Sequence, residues 1–127
     1  MLYLILAIAA SQPTSMGQSI INECWKGNSH VDMSECVSKR ATNARSGLEN
    51  VEGRIRGALI ARKDHSLLRA FDSTLGSYRS YRSQQCGFQE SIAAKGNGAM
   101  DLRLACEAEL DIEREEQLDG FYGWLNP

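Results

Sequence analysis

Four cysteines and two histidines are the residues of this sequence that are best suited to chemistry. Cysteine can act as a metal ligand, as a nucleophile or as half of a disulfide. The sequence contains no C-x-x-C pair, and His30 and His65 do not stand at zinc-ligand spacing. An even number of cysteines indicates disulfides in a short exported chain, and an apolar run at residues 2–10 predicts export of this one. We therefore predict two disulfides and no metal or other cofactor among Cys24, Cys36, Cys86 and Cys106.

Enzymatic chemistry finds little support in the remaining residues. His30 and His65 fall at loop or helix-edge positions, and no Ser or Cys motif follows a strand-turn-helix pattern of the hydrolase type. The acidic run EREE at 113–116 is typical of a solvated helix face. We predict that the protein is not an enzyme and has no catalytic residues.

The stretch GSYRSYRSQQC at 76–86 repeats a Tyr-Arg-Ser triplet, which could form a strip that binds nucleic acid. The chain, however, has 16 acidic against 14 basic residues and a pI near 5.7, so it lacks the basic charge of a nucleic-acid binder. We interpret the repeat as a helix surface and predict no nucleic-acid partner. Successive spacings of 4, 3, 4 and 4 residues place five side chains on one helix face: Phe71, Leu75, Tyr78, Arg82 and Cys86.

The N-terminus carries a nine-residue apolar run, LYLILAIAA at 2–10, followed by a polar stretch. Its length is too short to span a bilayer and suits the hydrophobic region of a secretory signal, although no Lys or Arg precedes it. We predict a signal peptide at 1–17, cleaved after Ala9, Ala10 or Gly17, and a single domain at 18–127. The expected location is periplasmic or secreted, without stable membrane insertion.

Helical periodicity dominates the rest of the chain. After a short apolar turn and a Gly-Asn loop, Asp32 and Glu35 resemble a capping box, and apolar residues recur from Val37 to Leu59. This pattern predicts a first helix that ends near 61–66. Its three glycines are expected to let a neighbouring helix approach closely; they are Gly47, Gly53 and Gly57.

A second helix, capped by Asp64 or Ser66, is predicted to end near Cys86, which would place Arg82 in its last turn. Residues 87–98 are interpreted as a connection, and a third helix begins near Ala99. The aromatic tail at 120–127 is expected to fold back as a lid. With no strand signal, the fold class is all-α, a three-helix up-down-up bundle stapled by two disulfides.

Antiparallel packing of these helices places three cysteines, Cys36, Cys86 and Cys106, at one pole, with Cys24 just outside it. All three disulfide pairings are geometrically open. The sequence-local set is slightly favoured because each of its bridges clamps one loop: Cys24–Cys36 and Cys86–Cys106.

The spacing of several residues resembles that of a known family. Two early cysteines stand twelve apart, YRSYRSQQC at 78–86 matches an aromatic-x-x-[Tyr/Phe]-Arg-x-x-x-Cys helix end, and a Gly-rich turn, KGNGA, precedes Cys106. This pattern is similar to that of the LprI-type lysozyme inhibitor family. Two departures are Tyr78, where the family commonly has Trp, and LENVEG at 48–53, where it has Leu-Asn followed by Tyr. The structural positions of the family fall on Tyr78, Tyr81, Arg82, Arg114 and Leu118.

The resemblance implies a small exported helical domain whose partner is a protein, a lysozyme-like muramidase that it inhibits. Two other functions stay open. One is an immunity protein that neutralises an antibacterial toxin delivered by a rival, and the other is a cell-envelope structural module without inhibitory activity. The resemblance brings no catalytic residues, and neither it nor the sequence specifies an oligomeric state.

Two turns share a Lys-Gly-Asn core, WKGNSH at 25–30 and AKGNGA at 94–99. A lysozyme cleft is lined by two carboxylates, which an ammonium group and amide donors could bind. The alternative is that Lys, Gly and Asn only form soluble turns. The second turn is the better candidate because Cys86 and Cys106 flank it. The candidate partner-binding residues are Lys95, Gly96, Asn97, Lys26 and Asn28.

Overall fold

The computed structural model describes residues 16–27, 29–93, 96 and 98–125, and these form four helices without a strand. The predicted all-α class and both disulfides are confirmed. The predicted count of three helices is wrong, because the segment taken for an apolar turn is itself a helix. Apart from residues 16 and 17, the predicted signal peptide lies outside the described residues. The helices are α1 (Gln18–Cys24), α2 (His30–Ala61), α3 (His65–Ala93) and α4 (Ala99–Leu125).

Helix α1 has only seven residues, too few to be stable in isolation. Tertiary contacts therefore hold it: Ile20 and Cys24 are buried one turn apart, and a disulfide links Cys24 to Cys36 in α2. Gly17 caps the helix with a φ of 88°, a left-handed conformation that favours glycine. Because these anchors come from distant residues, periodicity within the segment does not reveal the helix.

Helix α2 begins two residues earlier than its predicted cap. The hydroxyl of Ser29 accepts a hydrogen bond from the backbone N–H of Asp32 at 3.2 Å, so Ser29 is the N-cap. The expected close approach at the glycines holds only for Gly47, where an added Cβ would lie 2.5 Å from a carboxylate oxygen of Glu115. Gly53 and Gly57 have no such neighbour within 4 Å, so the expectation is wrong there.

Helix α3 starts as predicted, with the Asp64 carboxylate accepting a hydrogen bond from the Leu67 N–H at 3.1 Å. It ends at Ala93 rather than near Cys86, since Gly87 is the one strong helix breaker in residues 87–93 and costs only about 1 kcal/mol. Arg82 consequently lies well inside the helix, and its predicted last-turn position is wrong.

Helix α4 is also longer than predicted, because the tail expected to fold back as a lid continues the helix to Leu125. Leu118, Tyr122 and Leu125 recur at steps of four and three and pack on one apolar cluster. This continuous apolar stripe holds the tail in the helix despite Gly120 and Gly123.

Helix α4 is the centre of the bundle: it packs along both α2 and α3, whereas α2 and α3 touch each other much less. We call the end where α2 and α4 begin and α3 ends the disulfide pole, and the opposite end the open pole. Fully buried Val37 and Cys106 mark the core near the disulfide pole, and Leu48, Val51 and Leu59 mark it toward the open pole. No described helix has the length and apolar character needed to cross a bilayer.

Candidate functional site

The two Lys-Gly-Asn turns lie at the disulfide pole. The first turn precedes His30, the first residue of α2, and the second precedes the start of α4. His30 Nε2 lies 3.1 Å from Asp101 Oδ2, and the Ser34 hydroxyl donates a hydrogen bond to the same carboxylate oxygen at 2.8 Å. Asp101 is buried, so this contact fixes the first turn of α4 against the first turns of α2.

The described residues of the turns are exposed. Lys26 and Gly27 reach solvent, and Gly27 has a φ of 74° with no atom near its Cα that would block a side chain. Gly96 is exposed as well. The other candidate binding residues, Asn28, Lys95 and Asn97, lie outside the described residues, and their role stays a prediction.

Two disulfides brace this pole. Cys24–Cys36 links α1 to α2, and Cys86–Cys106 links α3 to α4, each with a Cα–Cα distance of 5.6 Å. These are the predicted sequence-local pairs. Cys86 and Cys106 are fully buried, and their bridge closes the segment that contains the second turn. The two helices that the turn connects are therefore covalently linked, seven residues before the end of α3 and seven residues after the start of α4.

Three of the five family positions, Tyr78, Arg82 and Arg114, meet at the seam between α3 and α4. The Tyr78 hydroxyl donates a hydrogen bond to Asp111 Oδ1 at 2.7 Å, and Arg82 Nε lies 3.1 Å from the same oxygen. Arg82 also donates to Glu107 at 3.3 Å. From the next turn of α4, the Arg114 guanidinium lies over the Tyr78 ring, 5.6 Å from its centroid. The repeated Tyr-Arg motif thus contributes one Tyr and one Arg to an interhelical polar cluster.

Burial dominates the electrostatics of this seam. It raises the pKa of the Asp111 carboxyl, against the opposing effects of the Tyr78 hydrogen bond and the Arg82 charge. Burial and the adjacent carboxylate also raise the pKa of the Tyr78 hydroxyl, so it stays protonated and acts as a donor. These groups hold the helices in register, and Tyr78 and Arg114 also line a pocket of about 190 Å³ beside the seam.

Of the remaining family positions, Tyr81 is exposed and Leu118 is buried in the core. Spacing alone does not distinguish Asp111, Glu107 and Asp101 from a solvated surface, because acidic residues at helical spacing are typical of one. A signal was present for Asp111: it lies seven residues after Leu104 and seven before Leu118, on the apolar stripe of α4. Among the described residues, no group of three or more His, Cys, Asp or Glu is placed to hold a metal ion.

These features define the class of the protein: a small all-α domain fixed by two disulfides and an interhelical polar cluster. The family model described as Lysozyme inhibitor LprI matches residues 14–118. The chain therefore belongs to the LprI lysozyme inhibitor family. Comparison with curated proteins gave no match, and neither did comparison with solved structures.

Proposed function

We propose that the protein is an extracytoplasmic binding domain that inhibits a lysozyme-like muramidase. The observation that carries this proposal is the family match over residues 14–118, which includes both disulfides and both Lys-Gly-Asn turns. The partner is then a protein, and the contribution of this chain is a shaped, rigid surface rather than a reactive group.

The binding element we propose is the turn at 94–98, with Lys95 and Asn97 as its donors and Gly96 between them. Three contacts behind the turn support this choice: the Cys86–Cys106 bridge, and the contacts that Asp101 makes with Ser34 and His30 of α2. A turn fixed at its base loses little conformational freedom on binding, so more of the contact energy appears as affinity.

The chemistry of the target favours cationic donors. A muramidase cleft contains two carboxylates, one of which is ionised during catalysis. An ammonium group forms charge-assisted hydrogen bonds with such a carboxylate. Lys26, exposed on the neighbouring turn of the same pole, supplies a second cation at the edge of the contact.

The export of the protein is part of the proposal. All four cysteines are paired, which is the state expected in an oxidising compartment. Met16 packs against the cluster of Cys86, Cys106 and Leu110, so residues before α1 already belong to the folded domain.

Gly17 also contacts the folded domain. Its backbone N–H donates to the Glu109 carboxylate, and an added Cβ would lie 2.6 Å from the backbone carbon of Ala105. Cleavage after Ala9 or Ala10 retains these contacts, whereas cleavage after Gly17 removes them. N-terminal sequencing of the exported protein should find Ala10 or Ser11 first; a chain starting at Gln18 would contradict this boundary.

The test of the function is an inhibition assay. Oxidised protein is titrated into lysozymes of different structural types and into bacterial muramidases, and lysis of peptidoglycan is followed. Saturable inhibition of at least one enzyme is expected, and reduced, alkylated protein serves as the control. Absence of inhibition across the panel would contradict the proposal and leave the immunity and envelope-module functions, which a toxin gene beside this one would distinguish.

A further inference from the structure

An apolar groove of about 320 Å³ opens at the open pole, between the ends of α2 and α4 and the start of α3. Its floor is formed by Leu59 and Leu118, both buried, and its walls include Leu67 and Phe71. The one polar residue in its lining is Thr74. This volume lies at the lower end of the roughly 300–1,000 Å³ that ligand pockets span, so it suits one narrow ligand.

The groove follows from how the helices pack. Because α4 separates α2 from α3 along much of their length, these two helices leave a gap between them that opens onto α4. Small side chains, Ala70 and Thr74, face this gap from α3 and leave it unfilled. Water in an apolar concavity gains few hydrogen bonds, so its displacement by an apolar group is favourable.

Two aromatic side chains at the lip stay in solvent. Phe121 is 60% exposed and Trp124 is 85% exposed, although both lie beside the groove. Monomeric proteins seldom expose a large contiguous apolar surface, and such a surface often marks a binding site. The lip and the groove together form one apolar surface.

The rim of the groove is cationic. Arg62 Nη1 donates a hydrogen bond to the Leu125 carbonyl oxygen at 3.4 Å, and Leu125 lines the groove, which places the guanidinium at its edge. Lys63 follows in the exposed α2–α3 turn. Within the described parts of the chain, no carboxylate lies at ion-pair distance from either cation, and the neighbouring Asp64 carboxylate caps α3 instead.

The lining also discriminates between occupants. An extended polypeptide segment would need partners for its backbone N–H and C=O groups once buried. The groove offers only the Thr74 hydroxyl, which already donates to the Phe71 carbonyl at 2.7 Å and accepts from Arg114 at 3.2 Å. An alkyl chain needs no such partner.

We propose that this groove binds the alkyl chain of a single-chain anionic amphiphile of the fatty-acid type. The chain lies on Leu59 and Leu118 under the two aromatic residues of the lip, and the carboxylate head stays at the solvent edge, where Arg62 and Lys63 bind it. The site is at the pole opposite to the Lys-Gly-Asn turns and does not depend on muramidase inhibition.

The two tryptophans allow a direct test, because Trp25 is at the disulfide pole and Trp124 is at the lip. In a Trp25→Phe protein, Trp124 is the sole indole. Dodecanoate, added below its micelle-forming concentration, should give a saturable blue shift of its emission. Ala70→Phe fills the groove and should weaken binding at least tenfold. Ala61→Phe, at an exposed position of α2 outside the lining, is the matched control and should bind like the parent.

Calorimetry with two ligands tests the head group. The double variant Arg62→Glu/Lys63→Glu should bind dodecanoate at least tenfold more weakly than the parent while binding dodecanol equally well. Leu67→Gln, at the half-exposed rim, should lower the affinity for both ligands, and it replaces Ala70→Phe if that variant does not fold.

Several results would overturn the proposal. These are a signal that does not saturate, an Ala70→Phe variant that binds like its control, or equal affinity of the parent for dodecanoate and dodecanol. Sedimentation that finds a dimer which Ala70→Phe dissociates would assign the groove to a second copy of the chain instead. Muramidase inhibition should be the same in the parent and in Ala70→Phe, so the two proposals fail separately.

Discussion

The two poles of this bundle are built from the same three long helices but are held by different means. At the disulfide pole, two covalent bridges and the buried Asp101 carboxylate link every helix to another. At the open pole, apolar packing dominates, and it stops short of filling the space between α2 and α3. The described residues of the two turns are exposed at the disulfide pole and an apolar groove lies at the open pole, so each pole suits a different kind of ligand.

The largest effect should come from breaking the covalent pole. Each bridge closes a loop, over a sequence separation of 12 or 20 residues, and contributes about 3 kcal/mol in the chain-entropy account. Reduction of both should therefore remove much of the 5–15 kcal/mol that a typical domain has. Urea unfolding with and without reductant measures the loss. Thiol titration of the denatured, oxidised protein should find no reactive cysteine, and finding two or four would refute the framework.

The sequence predicted the features that depend on local spacing. The apolar periodicity of α2 was enough to predict the helical class. The positions of the cysteines in these helices were enough to predict that three of them lie at one pole. The sequence did not predict α1, whose seven residues are held by a disulfide and by packing. It also did not predict the true ends of α3 and α4, where apolar contacts outweigh the cost of placing glycine in a helix. The groove was missed because it depends on the separation of α2 from α3, which no periodicity within one helix encodes.

The next largest effect concerns the seam that joins the two poles. Tyr78→Ala removes an aromatic ring that packs on two apolar clusters and should lower the free energy of unfolding by about 3 kcal/mol. Tyr78→Phe keeps the ring but leaves Asp111 without its hydroxyl donor, a loss of about 1–2 kcal/mol. Arg79→Ala is the control, since this exposed side chain makes a long ion pair, 3.8 Å, with the buried Glu52 carboxylate, and the loss should stay below about 1 kcal/mol. Equal, small losses for all three would mean that the seam does not hold the helices.

A change of function, without a change of stability, should follow from reversing one charge at the disulfide pole. Lys95→Glu would repel the carboxylates of a muramidase cleft and should weaken inhibition at least tenfold, or about 1.4 kcal/mol. Its thermal midpoint should stay near that of the parent, because the turn is exposed at Gly96. Lys26→Glu is the matched change on the other turn and should have a smaller effect. Inhibition that is unchanged by Lys95→Glu would remove this turn from the interface.

The smallest effect should be on the pH dependence of the free energy of unfolding, to which two carboxylates contribute with opposite signs. Burial raises the pKa of Asp111, at the seam, above the ordinary 3.8, so the native state binds its proton more tightly than the unfolded state does. Its contribution is present below pH 3.8 and is lost as the pH rises through the folded pKa. At the open pole, the exposed Asp72 carboxylate accepts two hydrogen bonds from Arg56, of 2.6 and 2.9 Å, which lower its pKa. Its contribution is present above pH 3.8 and is lost as the pH falls through the folded pKa.

Urea unfolding of the parent, Asp111→Asn and Asp72→Asn at pH 7, 5 and 3.5 separates these two signs. Relative to Asp111→Asn, the parent should gain stability on acidification, because protonation relieves the burial of the carboxylate charge. Relative to Asp72→Asn, the parent should lose stability over the same range, and by less, since solvent screens an exposed ion pair. Salt sharpens the distinction: 0.5 M sodium chloride should weaken the Asp72 dependence and leave that of Asp111 nearly unchanged. If both differences moved in the same direction, the contrast between a desolvated seam and a solvated open pole would be wrong.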